Sequence, residues 1–599
     1  MKNKQSKQKE FTIPVHILLK KILKTNRGNW KSTYITWLFV MIETVCETLV
    51  TFFLSFLIDS INSLDKSKDL GVIFAYSGGI FALAVVAALT GILAGYFAAE
   101  ASSSFGRNLR KAIFSKIQDY SFENIDKFST SSIVTRSTTD LTNVQHSFLM
   151  VIRSVIRAPL LMIFALIMCF IIEYRLAWIF LLIIPFVLFL LITIASRAHV
   201  VFVKIFNSYD ILNSNVQEDV DGIRAIKSFN REDSKISEFK QSSNFIYKNF
   251  IKAEKILAFN APVMDIAIYL AFLLLSFFGA NLIVKYNDTN FSIGSLTSLF
   301  NYVMMIMISM MMISTIYVML IISRNSGERI IELLDEKPIL VNCDNPVYEI
   351  KNGDIEFKNV SFAYPNKNNS LENISFSLKS GEVLGIIGPT GSSKTTLVSM
   401  IARLYDVKEG CVKVGGIDVK NYDLKTLRDS VSVVLQKNTL FSGTIRSNLS
   451  FGNEYASDEQ MWEALSLAQA SDFVSSFKDG LDYKVEQGGV NFSGGQKQRL
   501  CIARALLKDP KILILDDTTS ACDTHTDQLI RDNLKRTKPD VTKIIISQRV
   551  SSIKDCDKII VMDRGKIIAE GKNDELMDSC GIYKELYESQ LGGGDFDAQ

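Results

Sequence analysis

The chain has 599 residues, a length that argues against a single domain and predicts two or three. Hydrophobic residues make up 48% and charged residues 22%, a mixture typical of a protein that is partly in a membrane and partly soluble. The formal net charge of +3 is small for this length and gives no reason to expect a nucleic acid as a partner.

The N-terminal segment is polar and basic. Nine lysine and arginine residues lie within residues 1–31, so the positive-inside rule places this segment in the cytosol. Residues 11–24 have apolar positions separated by lysines, a pattern that predicts an amphipathic helix on the inner membrane surface. We expect no cleavable signal peptide, because the first long apolar run begins only after residue 31.

Six apolar runs follow that are long enough to cross a lipid bilayer, for which about 20 residues are needed. The gaps after the second and fourth runs are long and rich in Lys, Arg and Asp, whereas the other gaps are short. From a cytosolic start, both long loops face the cytosol and are predicted to extend the membrane helices well beyond the bilayer. The predicted crossings lie at about 33–59, 71–98, 150–172, 176–196, 257–286 and 295–322.

After the last crossing the sequence becomes soluble in character. Residues 323–350 are charged and are interpreted as a linker, and α and β patterns alternate from residue 351 onward. This alternation predicts an α/β domain over 351–599 with a mainly parallel sheet, so residues 1–322 form the transmembrane domain. Short apolar strands are predicted at Val383–Ile387, Lys511–Leu515 and Lys543–Ile546.

A Gly-rich turn follows the first of these strands and opens a helix predicted over Thr395–Leu404. This is the context of a phosphate-binding loop, whose backbone N–H groups surround the β-phosphate of ATP. Lys394 would reach the β- and γ-phosphates and Thr395 would supply a hydroxyl to Mg²⁺. The usual glycine before the lysine is Ser393, and the alternative is a chance Gly/Ser turn. The loop is Gly388-Pro389-Thr390-Gly391-Ser392-Ser393-Lys394-Thr395.

Two acidic residues follow the predicted strand Lys511–Leu515. Asp516 at the strand end can hold Mg²⁺ through water, and Asp517 occupies the place of a base that would polarise the attacking water. Apolar strands often end in Asp, so this motif alone is weak evidence for an ATP site. It becomes strong evidence because the phosphate-binding loop is also present.

The run Asn491-Phe492-Ser493-Gly494-Gly495-Gln496, followed by Lys497-Gln498-Arg499-Leu500, resembles the signature of ATP-binding cassette (ABC) proteins. The resemblance implies that Tyr364 stacks on adenine and that Gln436 touches Mg²⁺. It also implies that the segment Ser520–Asp523 meets the other subunit. The nucleotide-binding residues it implies are Tyr364, Gly388, Pro389, Thr390, Gly391, Ser392, Ser393, Lys394, Thr395, Thr396, Gln436, Ser493, Gly494, Gly495 and Gln496, with Thr395, Gln436 and Asp516 as the Mg²⁺ set.

The resemblance extends into the membrane half. Residues 122–128 look like the first coupling loop of ABC exporters, and residues 215–229 look like the second, with docking on the cassettes expected near 122–128 and 207–216. A membrane domain fused ahead of a cassette is typical of exporters. The fold expected is a six-helix transmembrane domain of exporter type followed by an α/β P-loop nucleotide-binding domain.

Two residues depart from the family pattern at the same ATP site. The catalytic Glu is Asp517, and the switch His is Gln548, which can donate a hydrogen bond but cannot carry a proton. The signature is intact. The chain therefore resembles the degenerate-site subunit of heterodimeric bacterial multidrug exporters, whose partner would carry the catalytic Glu and the switch His. The alternative is a homodimer with slow Asp517 chemistry.

The crossings themselves contain charges and methionines. Glu43 and Glu47 lie one helical turn apart, and they either attract a cationic substrate or pair internally, because Arg157 lies at a similar depth to Glu43. The sixth crossing carries seven methionines, which either line a polyspecific cavity or pack against lipid. They are Met304, Met305, Met307, Met310, Met311, Met312 and Met319.

The sequence thus predicts ATP-driven export of small amphipathic molecules across a bacterial plasma membrane, with the cassette in the cytosol. Drug-like compounds, lipids and peptides all remain open as substrates. The alternatives are a homodimeric lipid or peptide exporter, and an ATP-binding regulatory half without its own hydrolysis.

Overall fold

A computed structural model describes Lys21 and residues 30–62, 70–285, 291–364, 370–517 and 522–591. The chain divides into two units, one of Met1–Asp119 with Phe128–Glu336 and one of Tyr120–Lys127 with Lys337–Gln599. The amphipathic helix predicted over residues 11–24 lies outside the described residues, apart from Lys21. The same holds for part of the segment Ser520–Asp523.

The first unit is helical, and six of its described helices are long and apolar enough to span a membrane, which confirms the predicted crossings. Each reaches beyond the apolar run that predicted it, since the polar extensions continue the helices. The helices of this unit are α1 Trp30–Asn62, α2 Leu70–Gln118, α4 Thr130–Ile172, α5 Tyr174–Asp221, α6 Ile223–Ser228, α7 Glu232–Val284 and α8 Ile293–Asp335. The short helix α3, Phe122–Phe128, begins in the segment that belongs to the second unit.

The helices pack through an apolar core and through polar contacts between their backbones and side chains. Phe180, Leu275 and Tyr302 are fully buried in this core. The hydroxyl of Tyr302 donates to the backbone oxygen of Thr48 at 2.8 Å, and Ser298 Oγ donates to that of Thr51 at 2.9 Å. Such bonds hold α8 against α1 where apolar packing alone gives no preference over lipid.

Two predicted boundaries in this unit differ from the structure. Residues 323–335, assigned to the linker, continue α8 as far as Asp335, and Arg324–Asp335 contains no proline that would break the helix. Residues 207–216, where docking on a cassette is expected, lie inside the uninterrupted helix α5. The chain turns only at Gly222, and the end of the second loop is therefore α6 with the residues that flank it.

The second unit contains a six-stranded sheet in the order β12-β11-β3-β10-β9-β6, parallel except for β12, and a four-stranded antiparallel sheet in the order β2-β1-β4-β5. A short pair, β7 and β8, lies apart. The strands are β1 Ile355–Phe362, β2 Leu371–Leu378, β3 Val383–Ile387, β4 Glu409–Val414, β5 Ile417–Asp418, β6 Val431–Val434, β7 Gly443–Thr444, β8 Lys484–Val485, β9 Ile512–Asp516, β10 Thr542–Ile546, β11 Lys558–Asp563 and β12 Lys566–Gly571.

Helices cover this parallel sheet on both faces, so its strands alternate between two apolar cores. In β9, Ile512 and Ile514 pack into one core while Leu513 and Leu515 pack into the other. This burial explains why the central strands read as continuous apolar runs. The helices are α9 Lys394–Ser399, α10 Leu424–Ser430, α11 Ile445–Leu449, α12 Asp458–Leu467, α13 Ser471–Ser475, α14 Gly494–Leu506, α15 Thr524–Thr537, α16 Asn573–Ser579 and α17 Gly581–Leu591.

Candidate active site

The carboxyl ends of four neighbouring parallel strands bring the predicted ATP-site residues together. The phosphate-binding loop follows β3, Asp516 ends β9, Gln548 follows β10 and Gln436 follows β6. The order β3-β10-β9-β6 makes these strand ends adjacent, and this edge of an open α/β sheet is where ligands bind. Backbone bonds fix the alignment, with Ser547 N donating to Ile386 O at 3.2 Å and Asp517 N to Ile546 O at 2.9 Å.

The phosphate-binding loop is shaped by two glycines and one serine with positive φ. Gly388 approaches the backbone so closely that a Cβ would lie 2.1 Å from Met562 O, and Gly391 has a φ of 86°. Ser393 stands in the left-handed region at φ 73° and ψ 25°, where a Cβ costs about 1–2 kcal/mol. The serine therefore adopts the backbone conformation that glycine favours, and the loop keeps its form with some strain.

Lys394 is buried and folded back over the loop. Its Nζ donates to Gly388 O at 2.8 Å, to Pro389 O at 2.9 Å and to Ser392 Oγ at 3.3 Å. Burial lowers the pKa of the Lys394 ammonium, while the nearby carboxylates of Asp517 and Asp516 oppose that shift. The loop carbonyls and the Ser392 hydroxyl thus accept the hydrogen bonds of the ammonium.

The helix after the loop is shorter than predicted. It spans Lys394–Ser399, whereas the sequence predicts Thr395–Leu404. Beyond Ser399 the chain closes in tighter turns, with Ile401 N donating to Val398 O at 3.1 Å, and Arg403 at φ 47° ends them.

Asp516 has the environment of a cation ligand. It is 1% exposed, its Oδ2 has no hydrogen-bond partner among the described residues, and burial raises the pKa of its carboxyl, a shift that a hydrogen bond from Thr395 opposes. An orphaned carboxylate oxygen beside a hydroxyl fits a hard cation such as Mg²⁺. Within the described ranges no three His, Cys, Asp or Glu side chains form a metal group, so any cation here relies on hydroxyl and amide oxygens as well.

Asp517 lies beside the residue expected to touch Mg²⁺. Gln436 Nε2 donates to Asp517 Oδ2 at 3.4 Å, and the backbone of Asp517 has a positive φ of 50°. Burial raises the pKa of the Asp517 carboxyl, and the Gln436 hydrogen bond opposes this. The side chain of Gln548 is exposed, and its backbone oxygen accepts from Gln590 Nε2 at 2.9 Å.

The signature begins α14, away from the phosphate-binding loop's own contacts. Ser493 Oγ accepts from Gln496 N at 3.2 Å, and Gln496 Oε1 accepts from Ser493 N at 2.9 Å, which forms a capping box. Ser493 and Gly494 are exposed to solvent. A capped helix start with free surface is suited to meet a phosphate carried by another chain.

Tyr364 belongs to an aromatic cluster. Its hydroxyl lies 3.1 Å from Thr396 Oγ1, and its ring packs edge-on against Phe362 and Tyr405. The contact joins two residues that the sequence assigns to nucleotide binding. Its role as the adenine-stacking residue stays a prediction.

The sequence predicts docking of residues 122–128 on a cassette, but it does not reveal the partners of α3 there. Asn124 is fully buried, accepts from Ile339 N at 3.2 Å and donates to Lys337 O at 3.0 Å. Tyr405 donates to Asp126 Oδ2 at 2.7 Å, and its ring lies 6.1 Å from that of Phe122. No local pattern announces these contacts, since the partners lie more than two hundred residues apart.

In the membrane half, the structure pairs the buried charges. Arg157 reaches Glu43 Oε1 at 3.2 Å from Nη1 and Glu47 Oε1 at 2.6 Å from Nη2, which confirms internal pairing. The methionines divide between two environments. Met307 and Met310 are buried in the helical core, whereas three others line an apolar pocket of about 180 Å³. Those three are Met311, Met312 and Met319.

Comparisons with known proteins agree with both halves. The family described as "ABC transporter transmembrane region" matches residues 33–321, and "ABC transporter" matches residues 371–520. An uncharacterized ABC transporter ATP-binding protein of Mycobacterium tuberculosis is 33% identical over 518 residues, 86% of this chain and 88% of the relative. One of Bacillus subtilis is 32% identical over 532 residues, covering 88% and 91%.

A solved structure has the same fold. It is described as a bacterial Atm1-family ABC exporter with ATP bound, and it aligns with a TM-score of 0.84 over 94% of this chain and 99% of that chain. The sequences are 21% identical, so this similarity concerns the fold alone.

Proposed function

Because this chain belongs to the ABC transporters, as a half-transporter of exporter type, we propose that it pairs with a different chain and that its own ATP site is degenerate. Membership makes it a multi-pass membrane protein with a cytosolic cassette that couples ATP hydrolysis to transport. The proposal adds the division of labour between the two sites and the class of cargo.

The geometry around Asp517 carries the proposal. A general base must come within hydrogen-bond reach of the attacking water, and an aspartate is one methylene shorter than the family's glutamate. Asp517 is also drawn toward Gln436, at 3.4 Å. A displacement on the scale of 1 Å can cost about a hundredfold in rate. Gln548 offers a hydrogen bond but no titratable proton.

Nucleotide binding is expected to survive these changes. The phosphate-binding loop, Gln436 and Asp516 follow neighbouring strands at one sheet edge, and ATP binding is expected to rest on the loop backbone and on Lys394 rather than on Asp517. Mg²⁺, when bound, would neutralise phosphate charge, and Thr395, Gln436 and Asp516 are the residues proposed to hold it. The pairing of an orphaned Asp516 oxygen with Thr395 supports that assignment.

The proposed cargo is a small amphipathic molecule exported from the cell, such as a drug-like compound, a lipid or a peptide. The apolar pocket lined by Met311, Met312 and Met319 supports this class, because methionine side chains adapt to many shapes.

Steady-state ATPase of the assembled transporter tests the degenerate site. We expect Asp517→Asn to leave most turnover intact, whereas Gln in place of the partner's catalytic glutamate should remove nearly all of it. Gly494→Asp should also abolish turnover, since the signature serves the partner's ATP. Loss of activity in Asp517→Asn as complete as that in the partner variant would indicate a working site here and would favour the homodimer.

A further inference from the structure

A second cavity lies among the membrane helices of the first unit, next to the paired charges of Glu43, Glu47 and Arg157. It has a volume of about 720 Å³ and is lined by parts of α1, α2, α4 and α8. Its charged lining residues are Glu43, Glu47 and Arg153, and Met305 contributes an apolar wall. The size is that of a site for a small molecule.

Two glycines of α2 make room for these charges. A Cβ on Gly91 would lie 3.1 Å from Glu43 Oε1, and a Cβ on Gly95 would lie 3.8 Å from Arg153 Nη1. The remaining lining of α2 is largely alanine, so the helix presents a smooth apolar surface facing the charged side.

The carboxylates of the cavity share one arginine. Arg157 pairs with Glu43 and Glu47, at 3.2 and 2.6 Å, while Glu43 Oε2 has no hydrogen-bond partner among the described residues. The guanidinium of Arg153, one helical turn before Arg157, lines the same cavity and interacts electrostatically with Glu43, but it makes no hydrogen bond or ion pair with any residue that the structure describes. A guanidinium without a hydrogen bond inside a membrane-spanning segment is costly and is functional by default.

The backbone around Arg153 is built to display it. Val151–Val155 form a π-helical turn within α4, and Pro159 follows four residues after Val155. Proline has no N–H for the carbonyl four residues earlier, so the helix loses its regular bonding at this turn. Such π-turns are frequent at functional sites, because the extra residue turns side chains away from the regular helix face.

Resting on the proposed export function, we propose that this cavity binds amphipathic molecules through an anionic group, a carboxylate or a phosphate held by Arg153. The guanidinium offers up to five N–H donors in a planar fork that matches either anion. The apolar body lies against Met305 and the alanine surface of α2. The anion comes either from a free amphipathic acid or from a lipid headgroup.

The test uses the complete transporter, this chain with its partner, in phosphatidylcholine vesicles. The probes are dansyl-undecanoic acid and its methyl ester, which keeps the apolar body and removes the charge. We expect the wild type to bind the acid about ten- to hundredfold more tightly, the range for a hydrogen-bonded charge. Arg153→Met should abolish that preference and Arg153→Lys should keep part of it. Arg175→Met, which changes an arginine outside the cavity, should retain the preference.

Translocation of fluorescent phosphatidylglycerol distinguishes the two sources of the anion. ATP-driven movement that Arg153→Met removes supports a lipid headgroup, whereas preference for the acid without lipid movement supports a free amphiphile. Equal binding of acid and ester by the wild type, or an unchanged preference in Arg153→Met, would overturn the anion site. Absence of ATP-driven flux for neutral and cationic compounds as well would instead count against export itself.

Discussion

Ser393 shows how a single side chain can depart from a motif without destroying it. The residue holds the left-handed conformation at φ 73°, and its side chain makes no capping hydrogen bond that would repay the strain. The backbone donors of the loop remain in place around it. Phosphate binding therefore depends on the path of the backbone, which serine follows at a higher energy than glycine would.

Ser393→Gly is expected to stabilise the cassette slightly. Relief of the left-handed strain is worth about 1–2 kcal/mol, and the added freedom of glycine in the unfolded chain removes about 0.5–1 kcal/mol of that. The apparent melting temperature of the purified transporter should rise by a few degrees. Ser393→Ala keeps the Cβ and should show no rise, so equal melting of the two variants would contradict the strain.

The buried carboxyl of Asp516 leads us to expect that nucleotide binding depends on pH. Burial raises the pKa of this carboxyl above the ordinary value of about 3.9, so the group keeps its proton to a higher pH than an exposed aspartate does. The protonated form cannot hold Mg²⁺, and Mg²⁺-dependent binding of ATP should therefore strengthen as pH rises through the raised pKa. The proton is bound more tightly in the folded state, so the stability of the nucleotide-free cassette should fall over that interval.

Fluorescent ATP binding, measured with and without Mg²⁺ over a pH series, checks this dependence. Asp516→Asn should lose the Mg²⁺ effect at every pH, since an amide is a weak ligand for a hard cation. A Mg²⁺ effect in the wild type that is constant down to the ordinary range of aspartate would argue against a raised pKa.

At the scale of elements, α3 is the piece of the membrane half that is built into the cassette. Tyr405 lies between Asp126 of α3 and the ring of Tyr364, with a hydrogen bond of 2.7 Å on one side and a ring separation of 5.3 Å on the other. Tyr405 thus contacts both α3 and Tyr364, so a movement of Tyr364 would reach α3 through Tyr405.

Tyr405→Phe is expected to weaken the coupling of ATP turnover to transport. The variant removes the bond to Asp126, worth about 1–2 kcal/mol for a partly exposed charged acceptor, and keeps the ring contacts. Transport per ATP hydrolysed in vesicles should fall more than ATPase itself. Tyr422→Phe is the matched control, because its hydroxyl donates to Val414 O within the cassette, at 2.8 Å. Equal coupling in both variants would contradict a role for the Tyr405 bond.

The sequence predicts the membrane helices and the ATP-site motifs well because both depend on local patterns. A crossing is an apolar run of sufficient length, and a phosphate-binding loop is a strand, a turn and a helix in order. Contacts such as Asn124 with Lys337 join distant parts of the chain and have no local signature. The second coupling loop, expected at residues 215–229, contains the break at Gly222, whereas residues 207–216 lie inside α5.

The methionines of α8 also show what the sequence does not predict. Composition predicts that this helix is flexible and apolar, but it does not say which side chains face the core. Met307 and Met310 are buried among the neighbouring helices, whereas Met311 and Met312 line the pocket. Packing of neighbouring helices, and not the residue type, decides the role of each.

At the scale of the whole transporter, the end of the second loop is an apolar surface that a half-transporter leaves uncovered. Val220, Ile223 and Phe229 flank or belong to α6 and are 63%, 46% and 77% exposed. Apolar side chains clustered at the tip of a polar extension mark a surface for another protein. We expect this tip to be buried on the cassette of the partner chain, so that each membrane half responds to ATP bound on the other.

Crosslinking of the assembled pair checks that expectation. Ser228→Cys places a thiol at the tip, and Ser243→Cys places one further along the same extension, on exposed surface of α7. With a short thiol-to-amine reagent and a tagged partner, the tip variant should form a product between the two chains that maps to the partner's cassette, whereas the Ser243 variant should not. Phe229→Asp should reduce that product and the substrate-stimulated ATPase together, since a buried charge without a partner destabilises an interface. If Ser228→Cys forms crosslinks only within this chain, the expected contact with the partner is wrong. Coupling of ATP turnover to transport would then depend on α3 alone.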